Sequence, residues 1–196
     1  MMRIITGSAR GAKLQAPAGE ATRPTAERTK EAVFSMLGNG VYERRVLDLF
    51  AGSGQMGLEA LSRGATAAVL VERDRAALAA IRANVAHTKL SDRAEIVAAD
   101  ALGYLRTYKG APFHLVFLDP PYDKGLLPTC LTLLLAGKML ATGATVVCEA
   151  RDEDAVFGND EALAAGFTVL RRARYGIAHV TLLTPVNPPS GKGELM

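Results

Sequence analysis

Hydrophobic and polar positions follow two regimes along this chain. Five short apolar runs read as strands: 46–50 (VLDLF), 67–72 (AAVLVE), 94–99 (AEIVAA), 114–119 (HLVFLD) and 145–150 (TVVCEA). Segments with helical spacing lie between them, at 55–63, 75–87, 101–107 and 125–136. Strands alternating with helices imply right-handed crossovers and a mostly parallel, buried sheet. The pattern changes near the end. Residues 167–183 (FTVLRRARYGIAHVTLL) hold two strand-like runs about a Tyr175-Gly176 turn, with no helix between. The sheet should therefore finish in an antiparallel hairpin.

The segment ahead of the first strand is organised differently. Residues 3–6 and 12–16 flank SARG, a small turn, and predict a short hairpin. Residues 17–24 read as loop. Thr25 is placed to cap a helix running to about Leu37, with Glu27 in its first turn and Val33, Phe34 and Leu37 on one face. Gly38-Asn39-Gly40 stops it. The predicted fold class is thus α/β, with a Rossmann-like sheet, a C-terminal antiparallel hairpin, and an N-terminal β-hairpin and helix. One domain spans 1–186, with 1–24 as a basic hairpin extension, and 187–196 (NPPSGKGELM) is expected to be a flexible tail.

The chain's 196 residues suffice for one α/β domain, and 49% apolar with 22% charged residues is ordinary for a soluble protein. No basic-then-apolar leader opens it and no apolar run nears the roughly 18 residues of a membrane span. Cys130 and Cys148 sit in apolar stretches without a C-x-x-C spacing, which predicts buried free thiols and fits a reducing cytoplasm. His87, His114 and His179 are scattered and read as structural, so no metal site is expected. Charge changes the picture more. Up to residue 45, Arg3, Arg10, Lys13, Arg23, Arg28, Lys30, Arg44 and Arg45 face only Glu20, Glu27, Glu31 and Glu43, and this excess exceeds the net +3 of the whole chain. A basic segment on a near-neutral body suggests a polyanionic partner, with a solvated surface as the alternative.

Residues 52–57, GSGQMG, match the dinucleotide fingerprint G-x-G-x-x-G, and Glu72 follows about twenty residues on. Asp48 argues against that reading. It lies just before the loop, where its carboxylate would repel a pyrophosphate and attract a ligand with a cationic end. S-adenosylmethionine carries an ammonium and a sulfonium and no phosphate. Gly52 and Gly54 permit the tight turn and close approach, whereas Gly57 lies one turn into the helix, where a missing side chain allows packing on the strand. Glu72 can accept from ribose hydroxyls of either cofactor, and Asp100 from an adenine amine.

The most informative stretch is HLVFLDPPYDKG. Two prolines leave Asp119-Pro120-Pro121-Tyr122 stiff and short of donors. Asp119 and the Pro120 carbonyl can then both accept from an exocyclic nucleobase amine, and Tyr122 can stack on the base. Asn187-Pro188-Pro189-Ser190 lacks the aromatic and reads as a decoy.

At this point the chain resembles the class I S-adenosylmethionine-dependent amino-methyltransferases. RIITGSARGAKLQAP, ATRPTAERTKEAVFSML, DLFAGSGQMGLEALSRGA and DPPY are together similar to the RsmD family of bacterial 16S rRNA guanine-N2 methyltransferases. The resemblance runs strongly from about Arg3 to Tyr122 and more loosely to about Thr184. It implies methylation of one guanine of small-subunit rRNA, in an assembled or partly assembled particle, by a cytoplasmic monomer. Methylation of adenine in DNA or RNA, or of glutamine in a protein, is the alternative. By position, Asp48, Phe50, Ala51, Gly52, Ser53, Gly54, Glu72, Arg73, Asp100 and Ala101 would hold S-adenosylmethionine. Asp119, Pro120, Pro121 and Tyr122 would hold the base. Arg10, Lys13, Arg23, Arg28 and Lys30 would contact RNA or close over the pocket. The wider methyltransferase pattern has glycine where this chain has Phe50, which is read as packing under the loop.

Overall fold

A computed structural model describes residues 2–17 and 24–186. Arg23, the Thr25 side chain with its expected cap, and the 187–196 tail lie outside what is described. The expected alternation is present. Strands β1 (Arg45–Asp48), β2 (Ala67–Glu72), β3 (Ala94–Ala98), β4 (Phe113–Leu118) and β5 (Leu140–Ala150) are all parallel, and β6 (Phe167–Tyr175) and β7 (Ala178–Pro185) form the antiparallel hairpin. The order across the sheet is β3-β2-β1-β4-β5-β7-β6. The chain therefore reverses direction across the sheet between β1 and β4, the switch point where open α/β sheets bind ligands.

Helices cover both faces. On one lie α1 (Pro24–Leu37), α2 (Gln55–Ser62) and α3 (Arg75–Thr88) together with the N-terminal segment, and they share a core of Ile4, Phe34, Leu58, Leu70 and Phe117. On the other lie α4 (Ala101–Thr107), α5 (Leu126–Ala136) and α6 (Glu161–Ala165), packed around Leu47, Leu105, Val116, Leu131 and Cys148. Leu47, Val116 and Val146 are fully buried between the layers, each contributing roughly 1.5–3 kcal/mol of burial. Both cysteines are buried free thiols. Among the described residues no helix is long and apolar enough to cross a membrane.

Two elements depart from expectation. β5 starts at Leu140 rather than 145, across an irregularity that lets Leu140 pair with Phe113 before the regular register resumes at Thr145. The glycine-containing stretch there masks the strand signal. The five-residue α6, capped by the Asp160 carboxylate, is too short to carry a period.

The N-terminal hairpin is a loop closed by a single bridge, Arg3 to Lys13, with Ile4 N donating to Ala12 O at 2.9 Å. Side chains from the helices below hold it down. Glu59 of α2, wholly buried, accepts from Ile5 N (2.7 Å) and Thr6 N (3.1 Å) and pairs with Arg63 Nε (2.8 Å). Ser62 Oγ donates to Thr6 O and accepts from Ala9 N. Asn84 of α3 exchanges both its amide groups with the Gln15 backbone and also donates to Ser53 O. Gly7, at φ +92, is required here, because a Cβ would lie 1.8 Å from Ser62 O.

Candidate active site

Strand register decides which acids meet. Asp48 pairs with Leu70 and with Phe117, and Phe117 pairs with Val147. Residues two apart on a strand share a face. Glu72, Asp119 and Glu149 each lie two beyond one of those partners. All four acids are thus delivered to the carboxyl edge on the face that carries α1 and the N-terminal segment. There they line one cavity of about 980 Å³.

The glycine-loop end of this cavity is built by backbone donors. Asp48 is buried, and its Oδ2 accepts from Gly57 N at 3.0 Å. Burial, with a smaller contribution from Glu72, pushes its carboxyl up to about 7 against that hydrogen bond. Glu72 Oε2 accepts from Gly52 N at 2.9 Å, while Oε1 accepts from Arg73 N and Asp74 N. Gly52 adopts φ +55 and a Cβ there would meet open space, so the loop backbone is bare toward the cavity. At Gly57 a Cβ would fall 2.2 Å from Leu70 Cδ2. Its role is helix-on-strand packing, in line with its place one turn into the helix. Gly54 (φ +78) starts α2 and faces Ile81 and Leu58 rather than the cavity.

Of the residues expected to hold a cofactor, Asp48, Phe50, Ala51, Gly52, Ser53, Glu72, Arg73, Asp100 and Ala101 line the cavity, and Gly54 does not. Phe50 is half-buried and packs against the core on the face that carries α4 and α5. Asp100 caps α4 through Oδ1, which accepts from Leu102 N and Gly103 N, and its Oδ2 is 3.5 Å from Arg73 Nη1.

The other end of the cavity is the Asp119–Tyr122 loop, and all four of its residues line it. Asp119 is exposed toward the cavity, though protein crowding it from the sides takes away part of its hydration. That desolvation raises its carboxyl well above the ordinary range, and the neighbouring charges of Glu149 and Asp48 raise it further. The Tyr122 hydroxyl donates to Glu149 Oε1 at 2.8 Å. Glu149 is itself raised by burial, against the Tyr122 hydrogen bond.

The basic residues divide. Arg10, Lys13 and Arg28 are exposed, as an RNA contact needs. Lys30 is not: it is 1% exposed, its Nζ donates to Arg3 O at 2.6 Å and lies 4.0 Å from Glu59. It borders the inner wall of the cavity instead. The expectation of an RNA contact there is corrected, because helical spacing turns Lys30 inward beside Val33 and Phe34. Burial lowers its ammonium, opposed chiefly by Glu59.

The family model described as conserved hypothetical protein 95 matches residues 2–184. The chain belongs to that family. It is 40% identical over 153 residues to the ribosomal RNA small subunit methyltransferase D of Escherichia coli strain K12, covering 78% of this chain and 76% of the relative. The Haemophilus influenzae protein of the same name is 36% identical over 150 residues, covering 76% and 78%. The solved structure of Escherichia coli yhhF aligns with a TM-score of 0.80 at 36% identity, over 93% of this chain and 97% of that one. The RsmD-like resemblance and the class I methyltransferase fold are thereby shown, and the chain is an enzyme of that methyltransferase family.

Three supports of the site are not among the residues expected from sequence. Glu149 stands one residue before the end of the run TVVCEA, much as Asp48, Glu72 and Asp119 stand at or near the ends of theirs, so a signal for it exists. Glu59 and Asn84 offer none, since their backbone partners lie 54 and 69 residues away.

Proposed function

We propose that this enzyme transfers a methyl group from S-adenosylmethionine to the exocyclic N2 amine of a guanine in 16S rRNA, within a small-subunit particle or an assembly intermediate. The observation that carries this reading is one cavity with two chemically distinct ends, a glycine loop with buried Asp48 and a two-proline loop with Asp119. The acids fit the cofactor. Asp48 offers a buried carboxylate to a cation, Glu72 is held ready for ribose hydroxyls, and Gly52 leaves its backbone bare. S-adenosylmethionine supplies, when bound, a methyl made electrophilic by its sulfonium.

The chain's own residues prepare the amine. A guanine amine is a poor nucleophile because its lone pair is delocalised into the ring. Asp119 and the Pro120 carbonyl accept its two hydrogens, drawing it toward a tetrahedral arrangement, and the charged acceptor makes the stronger bond. Tyr122 stacks on the base, worth about 1–3 kcal/mol, which offsets much of the few kcal/mol that flipping costs. Asp119 also stands where the amine's proton must go. Alignment and hydrogen bonding carry most of the rate.

The test combines two measurements. Mass-spectrometric mapping of 16S rRNA from cells with and without the protein should find one N2-methylguanine that disappears with it. Labelled methyl offered to rRNA, DNA and protein fractions should enter rRNA. Label in DNA or protein instead overturns the reading.

A further inference from the structure

Glu149 has no part in the reading above, yet the register that pairs Leu118 with Cys148 sets Asp119 and Glu149 side by side at the carboxyl edge. Tyr122 leans across to meet it. Both Tyr122 and Glu149 also line a second hollow of about 120 Å³ behind the loop, with Arg151 and Asp152, so the pair, together with Pro120, Pro121 and Leu126, lies between two cavities. A carboxylate in such a position is costly unless it has a task or a full set of partners. The partner shown is one phenol.

We propose that Glu149 is a positioning residue for methyl transfer: its carboxylate fixes the Tyr122 ring through the phenol hydrogen and, as a second negative charge beside Asp119, makes Asp119 a better acceptor for the amine's proton. This rests on the function proposed above. As N2 gains its bond to the methyl carbon, the electron pair of the broken carbon–sulfur bond stays on sulfur. One amine hydrogen leaves as a proton to Asp119, which becomes a neutral acid. An ordinary carboxylate is a weak acceptor for that proton, and a like charge alongside strengthens it. Other charged groups reach this cavity from every side: Asp48 of β1, Glu72 of β2 with Arg73 and Asp74 after it, Asp100 ahead of α4, Lys124 of the loop, and Glu27 and Lys30 of α1. Of these only Asp48 joins Glu149 in raising Asp119, and Glu149 ranks ahead of it.

Three variants separate the two roles. Glu149→Gln keeps an acceptor for the phenol and removes the charge. Tyr122→Phe removes the phenol and keeps the charge. Glu149→Asp keeps a charge on a shorter arm. Glu149→Gln should move the acid limb of the kcat–pH profile down by about one unit and leave KM for RNA nearly unchanged. Tyr122→Phe should raise KM several-fold. Glu149→Asp should hold the acid limb near its wild-type position while raising KM. An acid limb unmoved in Glu149→Gln overturns the proposal, even if kcat falls at every pH. NMR titration of the Asp119 carboxyl in the RNA-free enzyme decides the same question without turnover. Its midpoint should lie above the ordinary carboxylate range in the wild type and fall in Glu149→Gln, and an unchanged midpoint overturns the idea. A wild-type enzyme inactive on rRNA would count against the substrate assignment alone, since the titration does not depend on it.

Discussion

The two loops that meet in the cavity follow neighbouring parallel strands, β1 and β4, and reach the same edge of the sheet, yet they treat their acids in opposite ways. Around the glycine loop, backbone N–H groups do the holding: Gly57 donates to Asp48, and Gly52, Arg73 and Asp74 donate to Glu72. Around the proline loop, two successive residues have no N–H to give. Among the described residues none donates to Asp119, and Glu149 receives a phenol. The glycine loop fixes its acids in advance and leaves a charge for a ligand cation to complete. The proline loop leaves hydrogen-bonding capacity open for an amine. Flexibility at one end and rigidity at the other are thus two means of deciding who supplies the donors.

The largest effects should come from removing one acid at each end. Asp119→Ala should lower kcat by about 10²–10³-fold, in the range lost with a single preorganised electrostatic contact, and change cofactor affinity by less than about threefold. Asp48→Asn should do the reverse, weakening cofactor binding by roughly 10–100-fold through loss of a charge-assisted contact. Isothermal titration beside single-turnover rates separates the two, and a shared pattern of losses would erase the contrast. Stability gives a second check. The Asp48 carboxyl ionises near 7 in the fold and near 3.8 when unfolded, so the folded state holds the proton more tightly. Stability from this group is then present at low pH and lost as pH rises through that window. Asp48→Asn, which removes the charge, should stabilise the ligand-free protein at pH 8 by on the order of 3–4 kcal/mol, and by less than half that at pH 5. Destabilisation at pH 8 in denaturant unfolding would contradict this.

Glycine sharpens the comparison at a smaller scale. Gly57 and Gly52 belong to the same written motif but face different things. Gly57→Ala drives a methyl to 2.2 Å from Leu70 Cδ2, with the buried Asp48 behind it, and should cost about 1–3 kcal/mol of stability. Gly52→Ala meets open space and pays only for φ +55, about 1–2 kcal/mol. Its distinguishing effect should be weaker cofactor binding. Thermal melts with and without cofactor decide it: if Gly57→Ala melts with the wild type, packing is not its role.

The parallel strands and most helices are legible in the sequence because a period of 2 or 3.6 survives in any stretch whose burial is one-sided or complete. Asp48, Glu72 and Asp119 are legible for a related reason, since each closes or directly follows a strand, and strand ends in such a sheet lie at one edge. Glu149 stands one residue before the end of β5 yet escapes notice, because no glycine or proline flags the turn that follows it. Lys30 misleads. Its charge suggests a surface, and only tertiary packing brings Glu59 and the Arg3 carbonyl to receive it. The clamp on the hairpin is beyond the reach of sequence, since Glu59, Ser62 and Asn84 bind backbone atoms, and backbone carries no sequence signature.

The smallest expected effect concerns two basic side chains on the N-terminal hairpin. Arg10 and Lys13 are exposed on a hairpin that Glu59, Ser62 and Asn84 anchor through its backbone. Their side chains are therefore committed to neither fold nor cavity, whereas Lys30, of the same charge, is committed to both. If the hairpin tracks phosphates, RNA affinity should fall linearly in log–log form with salt, and neutralising Arg10 and Lys13 together should flatten that slope by about 1–2, roughly one counterion per contact. The melting temperature should not move, because neither side chain holds the hairpin. Lys30→Met offers the complementary arm, leaving the salt slope unchanged while altering stability, since it leaves buried Glu59 with one fewer cation nearby. A slope that stays fixed in the Arg10/Lys13 variant removes the hairpin from the RNA interface and leaves exposed Arg28 of α1 as the next basic residue to neutralise.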